Sequence, residues 1–203
     1  IEAIGGRERL EEVNDIRIEM SADVMGNPLE ILIRKKSPDM MNVEVKMGSN
    51  VMSQQIYDGE EARIVQMGNV VPAGEEMKQR MELESAIFPE LHYAENQVGM
   101  ELTGVENVNG REAYVMEVVY PYGRTTTFYF DTETWHKIRQ VQRENSLQGE
   151  MTLVTDFSDF RETNGIVFPW TIKMPVSPAM QMNAEVQSID LNTGLDEKIF
   201  EVE

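Results

Sequence analysis

The chain is dominated by stretches in which apolar and polar residues alternate. Positions 16–24 carry an apolar residue at every even position and a polar residue at every odd one. Positions 29–34 and 41–47 repeat this alternation, with Leu32 as the one exception. Successive side chains of a strand point to opposite faces, so a period of two is typical of a strand with one buried and one wet side. The pattern predicts three adjacent antiparallel strands.

Turn signals divide the rest of the chain into further short strands. Asp58-Gly59, Asn109-Gly110 and Asn164-Gly165 each lie between two apolar runs, and such pairs suit hairpin turns that need positive φ. About twelve candidate strands cover about half of the chain, far above the usual 20 to 25%. The sequence therefore predicts a mainly-β fold, an antiparallel sheet or barrel with accessory helices. No linker or regular repeat divides residues 1–203, so we expect a single domain.

Two segments have helical rather than strand spacing. The first, Ile1 to Val13, is expected to break or bend at Gly5-Gly6 and to begin upstream of the given sequence. The second runs from Glu75 to Phe88 and is stopped by Pro89. Its apolar stripe, which must lie on a sheet face, consists of Met77, Met81, Leu83, Ile87 and Phe88.

Charge and composition remove several classes of function. The net charge of −18 would repel a nucleic-acid backbone over most of the surface, so nucleic acid is not an expected partner. The absence of cysteine excludes disulfides and thiolate chemistry, and no apolar run approaches the roughly 20 residues of a membrane-spanning helix. The sequence begins at Ile1 without a signal peptide, so we expect a mature or excised fragment and leave its export history open.

Residues that usually carry catalysis or bind metals do not form a recognised motif. His92 and His136 lack metal-ligand spacing, and His92 is interpreted as a polar residue at a helix exit. No hydrolase elbow, phosphate loop or calcium loop occurs, so no cofactor and no metal are expected. Asp156 and Asp159 lie three positions apart, which on a regular strand would direct them to opposite faces.

Methionine is unusually frequent, with 15 in 203 residues. Because methionine is unbranched and polarizable, it fills irregular space and adapts to ligands of variable shape. A methionine-tolerant core and a deformable apolar cavity both explain this composition.

Several short segments, in order, resemble the LolA-like outer-membrane lipoprotein-sorting proteins, especially envelope proteins of the Bacteroidetes type. The resemblance spans almost the whole chain, and the segments that carry it are Ile1 to Leu10, Tyr57 to Gly59, Asn109 to Tyr114, Thr126 to Asp131, Asp156 to Phe160, Gly165 to Pro169 and Leu195 to Phe200. The resemblance implies a curved, incomplete antiparallel half-barrel with helices covering its concave face and an apolar cavity between them.

The resemblance also implies non-catalytic binding of a lipid or of the acyl chains of a lipoprotein, in the periplasm or cell envelope. The expected cavity lining comprises Ile18, Met20, Ile31, Ile33, Val43, Val45 and Met47 from the strands, and Met77, Met81 and Phe88 from the second helical segment. Two alternatives remain open. One is a structural or interaction module without a ligand, for example the C-terminal domain of an insulinase-type peptidase, and the other is an enzyme that uses carboxylates in a cleft.

Overall fold

The computed structural model describes residues 1–146, 149–177 and 180–202. Its helices are α1 (Arg7–Glu11) and α2 (Glu75–Ser85), with short 3₁₀ turns at Glu2–Ile4, Pro89–His92 and Glu197–Phe200. The strands are β1 (Asp15–Val24), β2 (Asn27–Lys36), β3 (Met40–Met47), β4 (Asn50–Tyr57), β5 (Ala62–Gln66), β6 (Asn69–Val71), β7 (Gly99–Val108), β8 (Arg111–Val119), β9 (Thr125–Asp131), β10 (Lys137–Ser146), β11 (Gly149–Thr163), β12 (Ile166–Ser177) and β13 (Met180–Leu191).

These strands form one antiparallel sheet in the order β6-β5-β4-β3-β2-β1-β13-β12-β11-β10-β9-β8-β7. The order has two ends, β6 and β7, so the sheet is not closed into a barrel. Strand content is 59%, somewhat above the half predicted from the alternation. The predicted fold class, mainly β with an unclosed antiparallel sheet and few helices, is confirmed. No helix within the described ranges is long and apolar enough to cross a lipid bilayer.

The chain divides into two compact units. Unit 1 consists of Ile1–Gly6 and Leu91–Ala184, and unit 2 consists of Arg7–Glu90 and Glu185–Glu203. Unit 1 therefore contains β7 to β12, and unit 2 contains β1 to β6 together with α2. That the two units form a single domain stays a prediction.

The turns that define the hairpins follow their predicted chemistry. Asn109 and Gly110 have φ of 53° and 88°, and Asn164 and Gly165 have φ of 51° and 78°, as the predicted positive-φ turns require. Met67-Gly68 makes the same kind of turn, with φ of 48° and 78°, and leads into β6, a strand that the sequence pattern did not predict. Methionine rarely adopts positive φ, so this turn carries no recognisable signal.

The break in the N-terminal helical segment is confirmed. Gly5 has φ of 135°, and a Cβ placed there would lie 2.8 Å from the carbonyl oxygen of Gly165. This close approach of two backbones favours glycine at position 5.

Helix α2 ends at Ser85, three residues before the predicted end at Phe88. The Ser85 hydroxyl donates to the Glu82 carbonyl oxygen at 2.6 Å, and Ala86 is already extended, with ψ of 141°. Pro89 disfavours helical geometry only at the residue before it. The end of α2 at Ser85 therefore depends on tertiary contacts, which helix propensity does not describe.

The prediction that the polar face of β3 is exposed to solvent is wrong at two positions. Asn42 and Glu44 are buried, with 3% and 9% of their surface exposed. The C-terminal 3₁₀ turn packs against β3, where Asn42 Nδ2 donates to the Ile199 carbonyl oxygen at 2.5 Å. Arg34 on β2 donates to Asn42 Oδ1 at 3.1 Å, and burial lowers the pKa of the Arg34 guanidinium against the opposing charge of Glu44. A covered, hydrogen-bonded polar layer therefore replaces the expected solvated face.

Candidate apolar binding site

Six of the predicted lining residues lie together on one face of β1, β2 and β3. They form two cross-strand rows, Ile18–Ile33–Val43 and Met20–Ile31–Val45. Directly opposed side chains on neighbouring antiparallel strands have Cβ atoms about 4.5 to 5.5 Å apart, so each row is a continuous strip of hydrocarbon. We call these six residues the apolar face.

The apolar face is only partly covered. Met20 and Ile31 are buried, with 3% and 6% of their surface exposed. The other four, Ile18, Ile33, Val43 and Val45, are half-buried. An apolar ligand that covered these four side chains would remove their remaining surface from water, which is the dominant favourable contribution to association of apolar groups.

Helix α2 packs against the same side of the sheet. Met81 is fully buried in a cluster with Met41, Tyr57 and Ile64, and the half-buried Val43 and Met77 pack against that cluster. Val43 therefore belongs both to the apolar face and to the packing that seats the helix. Met81 itself fills a solid core in this structure.

The two remaining predicted residues lie at the margins of this arrangement. Met47 ends β3 opposite Asn50 and is half-buried. Phe88 is buried, with 9% of its surface exposed, in the bend that follows α2.

Lys35 is a structural contact beside the candidate site that the sequence reasoning missed. It stands opposite Ile16 and Met41, in the next cross-strand row after Ile18–Ile33–Val43. Its ammonium donates to the carbonyl oxygens of Glu84 at 2.5 Å and Ala86 at 2.9 Å, at the C-terminal end of α2. A cation at this end of a helix satisfies unpaired carbonyls and opposes the negative end of the helix dipole. The continued alternation of β2, which places a lysine on its apolar side, was the available signal.

Replacing Lys35 with methionine is expected to loosen the end of α2. The substitution keeps most of the apolar length of the side chain but leaves two carbonyl groups without their donor, so the free energy of unfolding should fall by about 1 to 3 kcal/mol. Hydrogen exchange should speed up at the last turn of α2 and change little in β8 and β9 of unit 1. A variant with unchanged exchange in α2 would contradict the anchoring role.

A concavity of about 770 Å³ lies in unit 1, and its lining combines the apolar residues Val108, Ile138 and Phe160 with polar residues that include Asp156, Asp159 and Lys173. Asp159 adopts a positive φ of 54°. That Asp156 and Asp159 point to opposite faces stays a prediction. Asp156 accepts hydrogen bonds from Arg139 Nε at 2.5 Å and Nη2 at 3.0 Å, and Asp159 accepts two from Arg161 at 3.0 and 2.5 Å. Each carboxylate therefore pairs with its own guanidinium.

Each of the two histidines contacts neighbouring protein groups. His136 Nε2 lies 3.3 Å from the carbonyl oxygen of Ala3, and its ring stacks on Phe160 at a centroid distance of 4.4 Å. His92 Nδ1 lies 3.1 Å from a carboxylate oxygen of Glu95 at the surface. Across the part of the chain that the structure describes, histidine, aspartate and glutamate form no group of three suited to a metal ion.

Solved structures with the same fold identify the architecture. A DUF1329 family protein from Desulfovibrio piger has a TM-score of 0.61 at 14% identity, with 96% of this chain and 92% of that chain covered. A putative outer membrane lipoprotein-sorting protein domain from Vibrio parahaemolyticus gives 0.59 at 12% identity, covering 95% and 92%, and a LolA superfamily protein from Nitrosomonas europaea gives 0.58 at 10% identity, covering 95% and 91%. No protein-family model and no curated protein matches the sequence. The similarities show a LolA-like fold and confirm the resemblance at that level.

Proposed function

We propose that the chain binds the acyl chains of a lipid or lipoprotein on the apolar face and carries them in the cell envelope without catalysing a reaction. The observation that carries this proposal is the pair of cross-strand rows, in which four of six aliphatic side chains remain half-buried on one sheet face. The expected lining of Met47, Met77 and Phe88 would extend this surface towards α2.

Elementary energetics make such binding feasible without any polar contact. Each buried CH₂ contributes about 0.8 kcal/mol, so a dozen carbons supply roughly 10 kcal/mol when fully buried. Association and ordering of a flexible chain cost several kcal/mol. Affinity in the micromolar range, about 8 kcal/mol, therefore requires burial of more than a dozen carbons or contacts beyond the acyl chain.

The similar structures support the envelope role. The Vibrio parahaemolyticus domain is described as a putative outer membrane lipoprotein-sorting protein domain, and the Nitrosomonas europaea protein belongs to the LolA superfamily. A role in binding also fits the carboxylates of unit 1, since Asp156 and Asp159 are each engaged by an arginine.

One observation favours a second candidate, a structural or interaction module with a packed core. Met81 is fully buried among Met41, Tyr57 and Ile64, and so contributes its side chain to packing. If the packing seen at Met81 extended over the whole apolar face, no acyl chain could enter. The two candidates differ in whether Ile18, Ile33, Val43 and Val45 can be reached by a ligand.

A single pair of variants distinguishes the candidates. Val45→Lys places an ammonium in the half-buried end of the second row, and a neutral fluorescent monoacylglycerol avoids any direct charge effect on the probe. We expect the unmodified chain to bind this probe at micromolar concentration and Val45→Lys to bind at least tenfold more weakly. The measurement is a fluorescence titration, accompanied by mass spectrometry of organic extracts of the purified chain.

Val65→Lys is the matched control. Val65 is also half-buried and in unit 2, but it pairs with Gln54 on β4, whose own partner Glu44 belongs to the polar face of β3. The affinity of Val65→Lys for the fluorescent monoacylglycerol should stay within about twofold of that of the unmodified chain. If Val45→Lys proves unstable, Val45→Thr keeps the shape and should still weaken binding several-fold. Failure of the unmodified chain to bind the probe, or equal affinity in both lysine variants, would overturn the acyl-binding proposal.

A further inference from the structure

Strand β7 is an exposed edge of the sheet. It is the last strand in the sheet order and pairs, within the described residues, only with β8. Nine of its ten residues are exposed, and only Val108 is buried. Its outer side therefore presents a row of backbone N–H and C=O groups that can pair with another extended chain. Edge strands are usually short or protected by lysine or proline, and β7 has neither residue.

The side chains of β7 divide into an apolar side and an acidic side. Met100, Leu102 and Val105 have 50%, 57% and 53% of their surface exposed. Register places them opposite the even-numbered β8 residues Val118, Met116 and Tyr114, so all three lie on one face despite a bulge between Leu102 and Gly104.

The acidic side of β7 faces the opposite direction. Glu101 stands opposite Glu117, and Glu106 stands opposite Ala113. Like charges directly opposite each other destabilise a strand pair, and the ion pairs found among the described residues include neither Glu101 nor Glu117. Glu106 accepts a hydrogen bond from Tyr129, whose pKa is raised first by burial and then by the Glu106 charge. A lysine or arginine beside Glu101 would relieve the Glu101–Glu117 repulsion.

A second copy of the chain is a poor occupant of this edge. In a two-fold antiparallel pairing centred between Thr103 and Gly104, Glu101 of one copy would stand opposite Glu106 of the other, twice per dimer. In an in-register parallel pairing, each glutamate would lie beside its own counterpart. Both arrangements add like-charge contacts to a chain that already carries a net charge of −18.

We propose that β7 takes up an extended segment of a partner protein as an additional strand, and that this segment alternates apolar residues with lysine or arginine. Its apolar side chains pack beside Met100, Leu102 and Val105, and its cations lie beside Glu101 and Glu106. Backbone hydrogen bonds provide affinity in this mode of recognition, and alternate side chains provide specificity. This inference is independent of the acyl-binding proposal, since β7 belongs to unit 1 and the apolar face to unit 2.

The bulge limits the length of the paired segment. Thr103 has no partner in the β7–β8 register, and its hydroxyl donates to the Val115 carbonyl oxygen at 3.2 Å. The bulge separates β7 into the runs 99–102 and 104–108, so a partner strand that spans β7 pairs regularly within each run and is interrupted at Thr103. We expect affinity in the range of tens to hundreds of micromolar.

The test uses a fluorescein-labelled eight-residue peptide in which lysine and valine alternate, at physiological ionic strength. The 203-residue chain should bind it with measurable anisotropy change, and hydrogen exchange should slow selectively at residues 99–108. A block peptide of four lysines followed by four valines has the same charge and composition, and it should bind at least fivefold more weakly.

Two variants of equal charge change complete the test. Leu102→Lys puts a cation on the apolar side of β7, and Met67→Lys puts one on the exposed turn before β6, where 76% of the methionine surface is accessible. Leu102→Lys should weaken binding of the alternating peptide at least fivefold, and Met67→Lys less than twofold. Equal loss in both variants, equal binding of the block peptide, or peptide binding without protection of β7 would overturn the proposal. Protection of β7 that rises with protein concentration in the absence of peptide would overturn it in favour of self-pairing.

Discussion

Replacing Met81 with lysine is expected to unfold unit 2. Met81 has 0% of its surface exposed and lies in the cluster of Met41, Tyr57 and Ile64. A lysine there must bury an ammonium without a partner or lose its charge, at a cost of several kcal/mol. Since a domain is stable by only about 5 to 15 kcal/mol, much of unit 2 should lose its structure near room temperature. Urea unfolding followed by circular dichroism measures the change.

Met77→Lys is the control for this prediction, because Met77 lies on the same helix and is only half-buried at the edge of the same cluster. A lysine at position 77 can extend its ammonium to water, so its effect should be less than half that of Met81→Lys. If both variants were equally stable, Met81 would face a solvent-accessible hollow rather than a core. That result would restore Met81 to the lining of a ligand cavity.

Asp15→Asn is expected to cost about 2 to 4 kcal/mol of stability. Asp15 is buried, with 3% of its surface exposed, and its carboxylate accepts hydrogen bonds from Thr193 N at 2.8 Å, Thr193 Oγ1 at 3.0 Å and Gly194 N at 2.8 Å. Asparagine has one acceptor oxygen, so at least one of these donors becomes buried without a partner. Asp23 lies at the exposed end of β1 and accepts one hydrogen bond, from Gly26 N at 2.7 Å, so Asp23→Asn should change stability by less than about 1 kcal/mol.

The same carboxylate makes stability depend on pH. Burial alone would raise the pKa of Asp15, but hydrogen bonds from Thr193, Gly194 and Leu195 outweigh it and hold the pKa below its ordinary value of 3.8. Backbone hydrogen bonds from Thr134 and Glu133 outweigh burial in the same way and lower the pKa of Asp131. The unfolded chain therefore takes up protons before the folded one does as pH falls.

The stabilisation from these two aspartates is complete above about pH 4 to 5 and is lost as pH falls through their folded-state pKa values. Asp15→Asn should accordingly show a shallower loss of stability between pH 5 and pH 3 than the unmodified chain. Urea midpoints measured at several pH values test this expectation. Parallel slopes for the two chains would show that Asp15 titrates alike in the folded and unfolded states.

Strand alternation and glycine-containing turns were readable from the sequence because both are local. The even-odd pattern of β1 required no knowledge of distant residues, and Asn109-Gly110 and Asn164-Gly165 adopted the φ values that their residue types favour. The burial of Asn42 was not readable in this way. It depends on Ile199, which lies 157 positions away and carries no local signal of that contact.

Much of the candidate site was predictable for the same reason. Short hairpins fix the register of β1, β2 and β3, so residues with the same phase in the three strands had to share one face. The role of Lys35 was missed because it depends on where α2 ends, and that end differs from the one indicated by Pro89. Burial of Met81 within a packed cluster likewise depends on tertiary contacts that helical spacing alone cannot distinguish from the lining of a cavity.

The position of Asp15 relative to its partners has a consequence for biosynthesis. Asp15 and Gly194 are 179 positions apart in the chain. At about 5 to 20 residues per second, roughly 10 to 35 seconds of translation separate the two halves of this contact. Until then β1 lacks the neighbour that β13 supplies, and the amide donors of the 193–195 turn do not yet exist. Closing so long a loop is entropically costly and is a slow step for β-sheet proteins. Until β13 is made, the nascent chain thus has an unpaired strand edge that can pair with other extended segments.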